Sequence, residues 1–262
     1  MTTPPPTVIA LDFDGVICDG LHEYFQTAWR AYAQVWSIDR PPNPDRAAQF
    51  YRLRPVVETG WEMPLVLHAL ELGIAESDIL QNWPTIAPTL VQSASLPAAL
   101  PKTLATAVDR IRDTWIASDT TSWLAEHRFY PGMIARLKML VASPMPFFII
   151  STKESRFIRQ LLQQEGIELG DRQVYGKETK RPKADILRDL NHQFGSTTPI
   201  WFVEDRFKTL QAVASQPDLT NVTLFLADWG YNTAAERSIV QECDSIYLLT
   251  LLQFIADFAD WL

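Results

Sequence analysis

The sequence predicts an α/β protein, a doubly wound and mostly parallel sheet that carries an inserted helical domain. Three observations predict it. Short apolar runs end abruptly in polar residues, amphipathic helical patterns alternate with those runs, and a long stretch without a strand-like run separates the first from the others. Short continuous apolar runs bounded by polar residues suit strands buried on both faces. Strands that alternate with helices build parallel sheets.

The first strand is Val8–Leu11, which runs into Asp12. Phe147–Ile150 runs into Ser151, residues 201–203 run into Glu204 and Asp205, and residues 222–226 end before Asp228. Between them lie helical faces. Met133, Ile134, Leu137, Leu140 and Val141 form one, and Phe157, Ile158, Leu161 and Leu162 form the next, stopped at Gly166. Ile186, Leu187, Leu190 and Phe194 form the third. The stretch 20–128 is different: Tyr24, Phe25, Ala28 and Tyr32 keep helical spacing, as do Leu100, Leu104, Ala107, Val108, Ile111 and Trp115. Six of the nine tryptophans fall there (Trp29, Trp36, Trp61, Trp83, Trp115 and Trp123), and they read as core residues more than as cofactor platforms. The expected division is therefore an α/β core of residues 1–19 and 129–262 around a helical domain of residues 20–128.

Composition bounds the function. The 262 residues are 47% hydrophobic and 21% charged, enough to bury a large core. Only residues 2–6, polar and proline-rich, read as disordered. Thirty-one acids against 23 bases give a net charge of −8, a field that repels nucleic acid and anionic membranes. Cys18 and Cys243 are too few for a disulfide framework and read as small core residues. No apolar stretch is long enough to span a bilayer and the start lacks the blocks of a secretory signal, so the expectation is a soluble cytoplasmic protein.

In such sheets ligands bind beyond the carboxyl ends of the strands, and those ends collect Asp12, Asp14, Ser151, Glu204 and Asp205. Phosphoryl transfer needs charge stabilisation, positioning and a nucleophile. A carboxylate can be that nucleophile by forming an aspartyl-phosphate, and magnesium prefers hard oxygen ligands. In Leu11-Asp12-Phe13-Asp14-Gly15-Val16 two carboxylates leave a strand end on one side, and Gly15 permits a tight turn. A calcium loop is excluded, because Val16 and Ile17 stand where an oxygen ligand and a glycine are required. Ser151 reads equally as a phosphate ligand or as a helix N-cap, with Glu154 three residues on.

The ordered set resembles the haloacid dehalogenase-like (HAD) superfamily, in its phosphatase branch with a helical cap inserted between the first and second motifs. The resemblance rests on Asp12-Phe13-Asp14-Gly15-Val16, on Phe147-Phe148-Ile149-Ile150-Ser151 with Thr152-Lys153 following, on a lysine at a helix start within 177–183, and on Trp201-Phe202-Val203-Glu204-Asp205. Tyr130-Pro131-Gly132-Met133 is similar to the family's re-entry into the core. It implies that Asp12 is the nucleophile and a metal ligand, and that Asp14 is the general acid and base, with its carbonyl toward the metal. Ser151 would hold the transferring phosphoryl with Thr152 beside it, and Asp205 would hold Mg2+ with Glu204. Lys183 would neutralise charge on nucleophile and phosphate, with Lys180 and Arg181 as the alternatives in that run. At Thr209 the chain departs from the family, where many relatives carry another acid.

The insertion, as a cap, would exclude water and choose the substrate. Its segment 51–62 carries Arg52, Arg54, Glu58, Gly60 and Trp61 and reads as a substrate-facing loop with Arg54 as a ligand, or as a surface helix end. The function implied is a magnesium-dependent phosphohydrolase of a small phosphorylated metabolite. The alternatives are a phosphomutase, a phosphonate hydrolase, which would want a cap lysine where only Lys102 occurs, and a catalytically silent binding protein on the same fold. Dehalogenation is disfavoured, because halide chemistry does not need the acid/base that Asp14 supplies.

Overall fold

The computed structural model describes residues 4–94 and 98–262. Of the proline-rich start, Thr2 and Thr3 lie outside the described residues. The chain begins with β1 (Val8–Leu11) and a short β2 (Cys18–Asp19). Five helices follow: α1 (Leu21–Trp36), α2 (Arg46–Leu53), α3 (Glu62–Glu71), α4 (Glu76–Ser93) and α5 (Leu100–Leu124). The chain then returns through β3 (Arg128–Phe129), α6 (Met133–Ala142), β4 (Phe147–Ile150), α7 (Ser155–Gln164) and β5 (Val174–Tyr175). It continues with α8 (Lys183–Phe194), β6 (Ile200–Glu204), α9 (Phe207–Ala214) and β7 (Val222–Ala227), and ends with α10 (Ala234–Gln241), β8 (Ile246–Leu249) and α11 (Leu251–Ile255).

Two compact units result. One combines the residues up to Asp19 with Arg128–Leu262, and the other is Gly20–His127. The first holds a six-stranded sheet in the order β5-β4-β1-β6-β7-β8, with every pairing parallel. The chain moves from β1 outward to β4 and β5, then returns to β6 on the other side of β1. The strand order therefore reverses at β1, and the carboxyl ends of β1 and β6 are the switch point at which such sheets bind ligands. Each residue of β1, β4 and β6 is buried, which is why these strands read as unbroken apolar runs. Val8, Ala10, Ile150, Phe202 and Leu224 pack on one face with Ile186, Leu187 and Leu190 of α8.

The structure lengthens two of the expected strands, so Glu204 ends β6 and Ala227 ends β7. On α6 it turns the expected face. Met133, Arg136, Leu137 and Leu140 are buried, while Val141 is 44% exposed. The reason is distant in sequence: the Arg136 guanidinium lies 4.5 Å from the Phe258 ring, so the carboxyl-terminal segment covers it.

The second unit has its own core of Phe25, Ala28, Trp29, Phe50, Leu65 and Leu104 with their neighbours. Glu23 of α1 is buried there. It accepts from Arg112 Nε and Nη2 at 2.8 and 3.0 Å and from Thr27 Oγ1 at 2.7 Å. A buried carboxylate needs such compensation. Among the described residues no helix is long and apolar enough to cross a membrane.

Candidate active site

β1 delivers Asp12 to the switch point, and the Asp12 N–H donates to Val203 O at 2.9 Å, which extends the β1–β6 pairing by one residue. Beyond it the chain turns sharply at Gly15, whose φ is +87°. A Cβ at Gly15 would lie 2.2 Å from Asp205 Oδ2, so glycine is required there for space as well as for the turn. β6 delivers Glu204 and Asp205, and the start of α8 delivers Lys183.

These four side chains meet. Lys183 Nζ lies 2.9 Å from Asp12 Oδ2 and 2.6 Å from Glu204 Oε2. Glu204 Oε1 accepts the backbone N–H groups of Asp205 and Arg206 at 3.0 and 2.9 Å. Both Glu204 oxygens are thus engaged by the protein, so Glu204 orients the lysine and the loop more directly than it offers itself to a metal. Asp205 Oδ2 accepts the Tyr231 N–H at 2.9 Å. Carboxylate oxygens of Asp12, Glu204 and Asp205 lie within 4.8 Å of one another.

Three buried acids stand together with one ammonium that pairs with two of them, Asp12 and Glu204, and the electrostatics follow. Burial pushes the Asp12 carboxyl up to about 7, with Lys183 pulling against it and Glu204 adding to the rise. Burial raises Glu204, and burial followed by the charge of Asp12 raises Asp205. Burial works against the Lys183 ammonium, but Asp12 and Glu204 outweigh it and hold it charged. The excess of negative charge and the hard oxygen donors are what a divalent cation such as Mg2+ takes, so these residues fit one.

Asp14 points to another partner. Lys153 Nζ lies 3.1 Å from its Oδ1 and 3.5 Å from its Oδ2. Ser151 is buried in the loop after β4, with its Oγ accepting the Lys153 N–H at 3.2 Å. It is not a helix N-cap. α7 begins at Ser155 with Glu154 in the capping position, because residues 151–153 form a turn first. Thr152 is exposed in that turn. Lys180, the alternative to Lys183, is exposed at a left-handed φ of 51°, and Arg181 pairs with Asp189.

In the second unit, the segment 51–62 is the end of α2, a single 3-10 turn and a short connection to α3. Arg54 donates to Val57 O at 3.1 Å and lies 5.1 Å from the Tyr24 ring, while Arg52 pairs with Glu76 at 2.8 Å. Gly60 needs no close approach, since a Cβ would meet nothing nearer than 3.8 Å.

The loop after β7 escapes the sequence reading altogether. Tyr231 binds Asp205 through its N–H, and its hydroxyl donates to Asp19 Oδ1 at 2.9 Å. Asn232 Nδ2 donates to Asp205 O at 3.1 Å. Gly230 lets this backbone close: a Cβ there would lie 2.3 Å from Asp205 Cβ and 2.6 Å from Gly15 O. The signal was a strand ending in Asp228-Trp229-Gly230 at the same end of the sheet as Asp12.

No protein-family model and no curated protein matches the chain. Solved structures do match. A predicted phosphoglycolate phosphatase from Haemophilus somnus superposes with a TM-score of 0.56 at 14% identity, covering 99% of this chain and 97% of that one. A haloacid dehalogenase-like family hydrolase from Streptococcus pneumoniae gives 0.52 at 14% identity, covering 92% and 93%. A HAD family hydrolase from Deinococcus radiodurans, with bound phosphate and sodium, gives 0.52 at 15% identity, covering 98% and 93%. The fold of this chain is thus the one that these haloacid dehalogenase-like hydrolases share.

Proposed function

We propose that the protein is a magnesium-dependent phosphohydrolase that cleaves a small phosphorylated metabolite through an aspartyl-phosphate. The observation that carries this reading is Lys183 bridging Asp12 and Glu204 beside Asp205, at the sheet's switch point. One charged ammonium there pulls the nucleophile toward its ionised form and meets the incoming phosphoryl oxygens. The phosphate bound in the Deinococcus radiodurans relative is the ion such a reaction releases.

In the first step an Asp12 oxygen attacks phosphorus and the bond from phosphorus to the ester oxygen breaks. Asp14 acts as the general acid that gives a proton to the departing oxygen. In the second step the Asp14 carboxylate takes a proton from water, the water oxygen attacks phosphorus, and the bond to Asp12 breaks. Inorganic phosphate leaves and both aspartates return to their starting states. Ser151 Oγ and Lys183 Nζ hold the phosphoryl oxygens, and Glu204 keeps Lys183 in place. Asp12, Asp205 and the Asp14 carbonyl would hold Mg2+, which offsets the charge of the acids and polarises the phosphoryl group. Thr152 and Arg54 remain the substrate-contact proposals.

The test is turnover of p-nitrophenyl phosphate and of a panel of phosphorylated metabolites, with magnesium and with chelator. Wild type should turn over in magnesium only, and Asp12→Asn should abolish activity with the fold retained. An inactive wild type, or an active Asp12→Asn, would overturn the reading.

A further inference from the structure

We infer that Lys153 is the positioning residue for Asp14, and that the loop carrying it sets the acid/base and the phosphoryl-binding hydroxyl in register. The inference rests on the phosphohydrolase reading above. Lys153 lies two residues after Ser151, between β4 and α7, and three contacts fix it. Its N–H donates to Ser151 Oγ at 3.2 Å, its carbonyl accepts the Lys177 N–H at 2.9 Å, and its Nζ lies 3.1 Å from Asp14 Oδ1 and 3.5 Å from Oδ2. Gly176 forms the wall behind the loop: a Cβ there would lie 2.8 Å from the Lys153 carbonyl oxygen and 2.4 Å from Ser155 N. The loop therefore cannot relax backward, and the ammonium is aimed by backbone.

The pair is nearly dry, with the Lys153 and Asp14 side chains 8% and 16% exposed. An ion pair withdrawn from water adds little net stability, because desolvation offsets most of the attraction. Its value lies in orientation. Asp14 must reach the leaving oxygen in one step and a water in the next from one place, and a catalytic group must sit within hydrogen-bond reach of the proton it moves. An ammonium facing both carboxylate oxygens limits the rotamers that Asp14 can take. The same turn places Ser151 Oγ, so phosphoryl grip and proton transfer share one short piece of backbone.

The leaving group makes this testable. An aryl phosphate such as p-nitrophenyl phosphate departs with little need of a proton, whereas an alkyl phosphate needs one. The quantity to measure is kcat/KM, which reports the first phosphoryl transfer, for wild type, Lys153→Met, Lys153→Arg, Asp14→Asn and the Met/Asn double variant. The substrates are p-nitrophenyl phosphate and the best alkyl phosphate from a panel of glycerol phosphates, sugar phosphates and phosphoglycolate. Lys153→Met should lose about 10²-fold on the alkyl ester, the scale of a misplaced catalytic group, and several-fold less on the aryl ester. Lys153→Arg should recover part of the loss. In the Asp14→Asn background Lys153→Met should add less than about twofold, since a positioning residue has nothing left to position. Equal losses on both esters, or a full further loss in the Asp14→Asn background, would overturn the inference, with thermal melts excluding unfolding as the cause. A wild type inactive on every ester fails the underlying reading and takes this inference with it. A normal wild type with an unimpaired Asp14→Asn fails the inference at Asp14 alone.

Discussion

Replacing Gly230 by alanine tests whether the loop after β7 holds the Asp205 end of the site, where the proposed Mg2+ would bind. The new Cβ would lie 2.3 Å from Asp205 Cβ and 2.6 Å from Gly15 O. Non-bonded carbons rest at about 3.5–4.0 Å, so Asp205 must withdraw by at least roughly 3.5 − 2.3 = 1.2 Å. It has no slack to do so quietly, because its N–H is tied to Glu204 and its carbonyl to Asn232. The displacement passes to its carboxylate. Gly230 lies outside the left-handed region, so the effect is steric and not a matter of backbone preference. Overpacking of this kind costs about 1–3 kcal/mol of stability, and a misplacement near 1 Å costs about 10²-fold in rate. The assay is a magnesium titration of turnover alongside thermal melts, with Gly170→Ala as control, where a Cβ would meet nothing nearer than a flexible Gln173 oxygen at 3.4 Å. Gly230→Ala should lose about 10²-fold in kcat/KM and need more magnesium for half-maximal rate, while Gly170→Ala should match wild type. A Gly230→Ala protein with wild-type turnover and magnesium requirement would refute the argument.

Lys183→Met should abolish measurable turnover and lower the melting temperature, since removing one partner of a buried ionic cluster costs about 3–5 kcal/mol. Exposed Lys180→Ala should do neither, and the reverse ranking in activity and melts would exchange their roles. The stability of the metal-free protein should also fall with rising pH across the neutral range. Asp12 has an ordinary value of 3.8 and is pushed by burial up to about 7 in the fold. The folded state thus binds the extra proton, and the stability this gives is present below the unfolded value and lost as pH rises through the folded one. Melts in chelator between about pH 5 and pH 8 should show that slope. Saturating magnesium and Asp12→Asn should each reduce it, the variant only in part because burial also raises Glu204 and Asp205, and a slope unchanged by either would place its source elsewhere.

The central strands are legible in sequence because burial on both faces leaves only apolar residues in them, as in Val8–Leu11 and Phe147–Ile150. β5 is two residues long and presents no such run, and β8 is an apolar run, Ile246–Leu249, that lies at the sheet edge with Tyr247 exposed and so lacks the burial on both faces that marks the central strands. Local periodicity cannot foresee a buried arginine, and Arg136 displaced Val141 from the buried face of α6 only because Phe258 returns to cover it. The candidate site divides in the same way. Asp12, Asp14, Glu204 and Asp205 announce themselves as carboxylates at the ends of apolar runs, and Lys183 as a helix start. Gly230 and Tyr231 act on Asp205 through backbone contacts with a residue some 25 positions away, and residue type alone does not record such a contact. Lys153 stood beside Ser151 in the motif, but its partner Asp14 is 139 positions distant.

The small ribbon formed by β2 and β3 has an evolutionary and practical consequence. Cys18 pairs with Phe129 and Asp19 with Arg128 in antiparallel register, so the chain leaves the sheet-bearing unit and re-enters it side by side. Residues facing each other in such a ladder have Cα atoms about 4.5–5.5 Å apart, a gap that a two-residue hairpin turn closes. Gly20–His127 therefore occupies the place of a hairpin loop. A gene could acquire, exchange or lose that whole segment at one point while the β2–β3 register stays closed by a short turn. Joining Asp19 to Arg128 through Asn-Gly would make a minimal protein that keeps Asp12, Asp14, Lys153, Lys183 and Asp205.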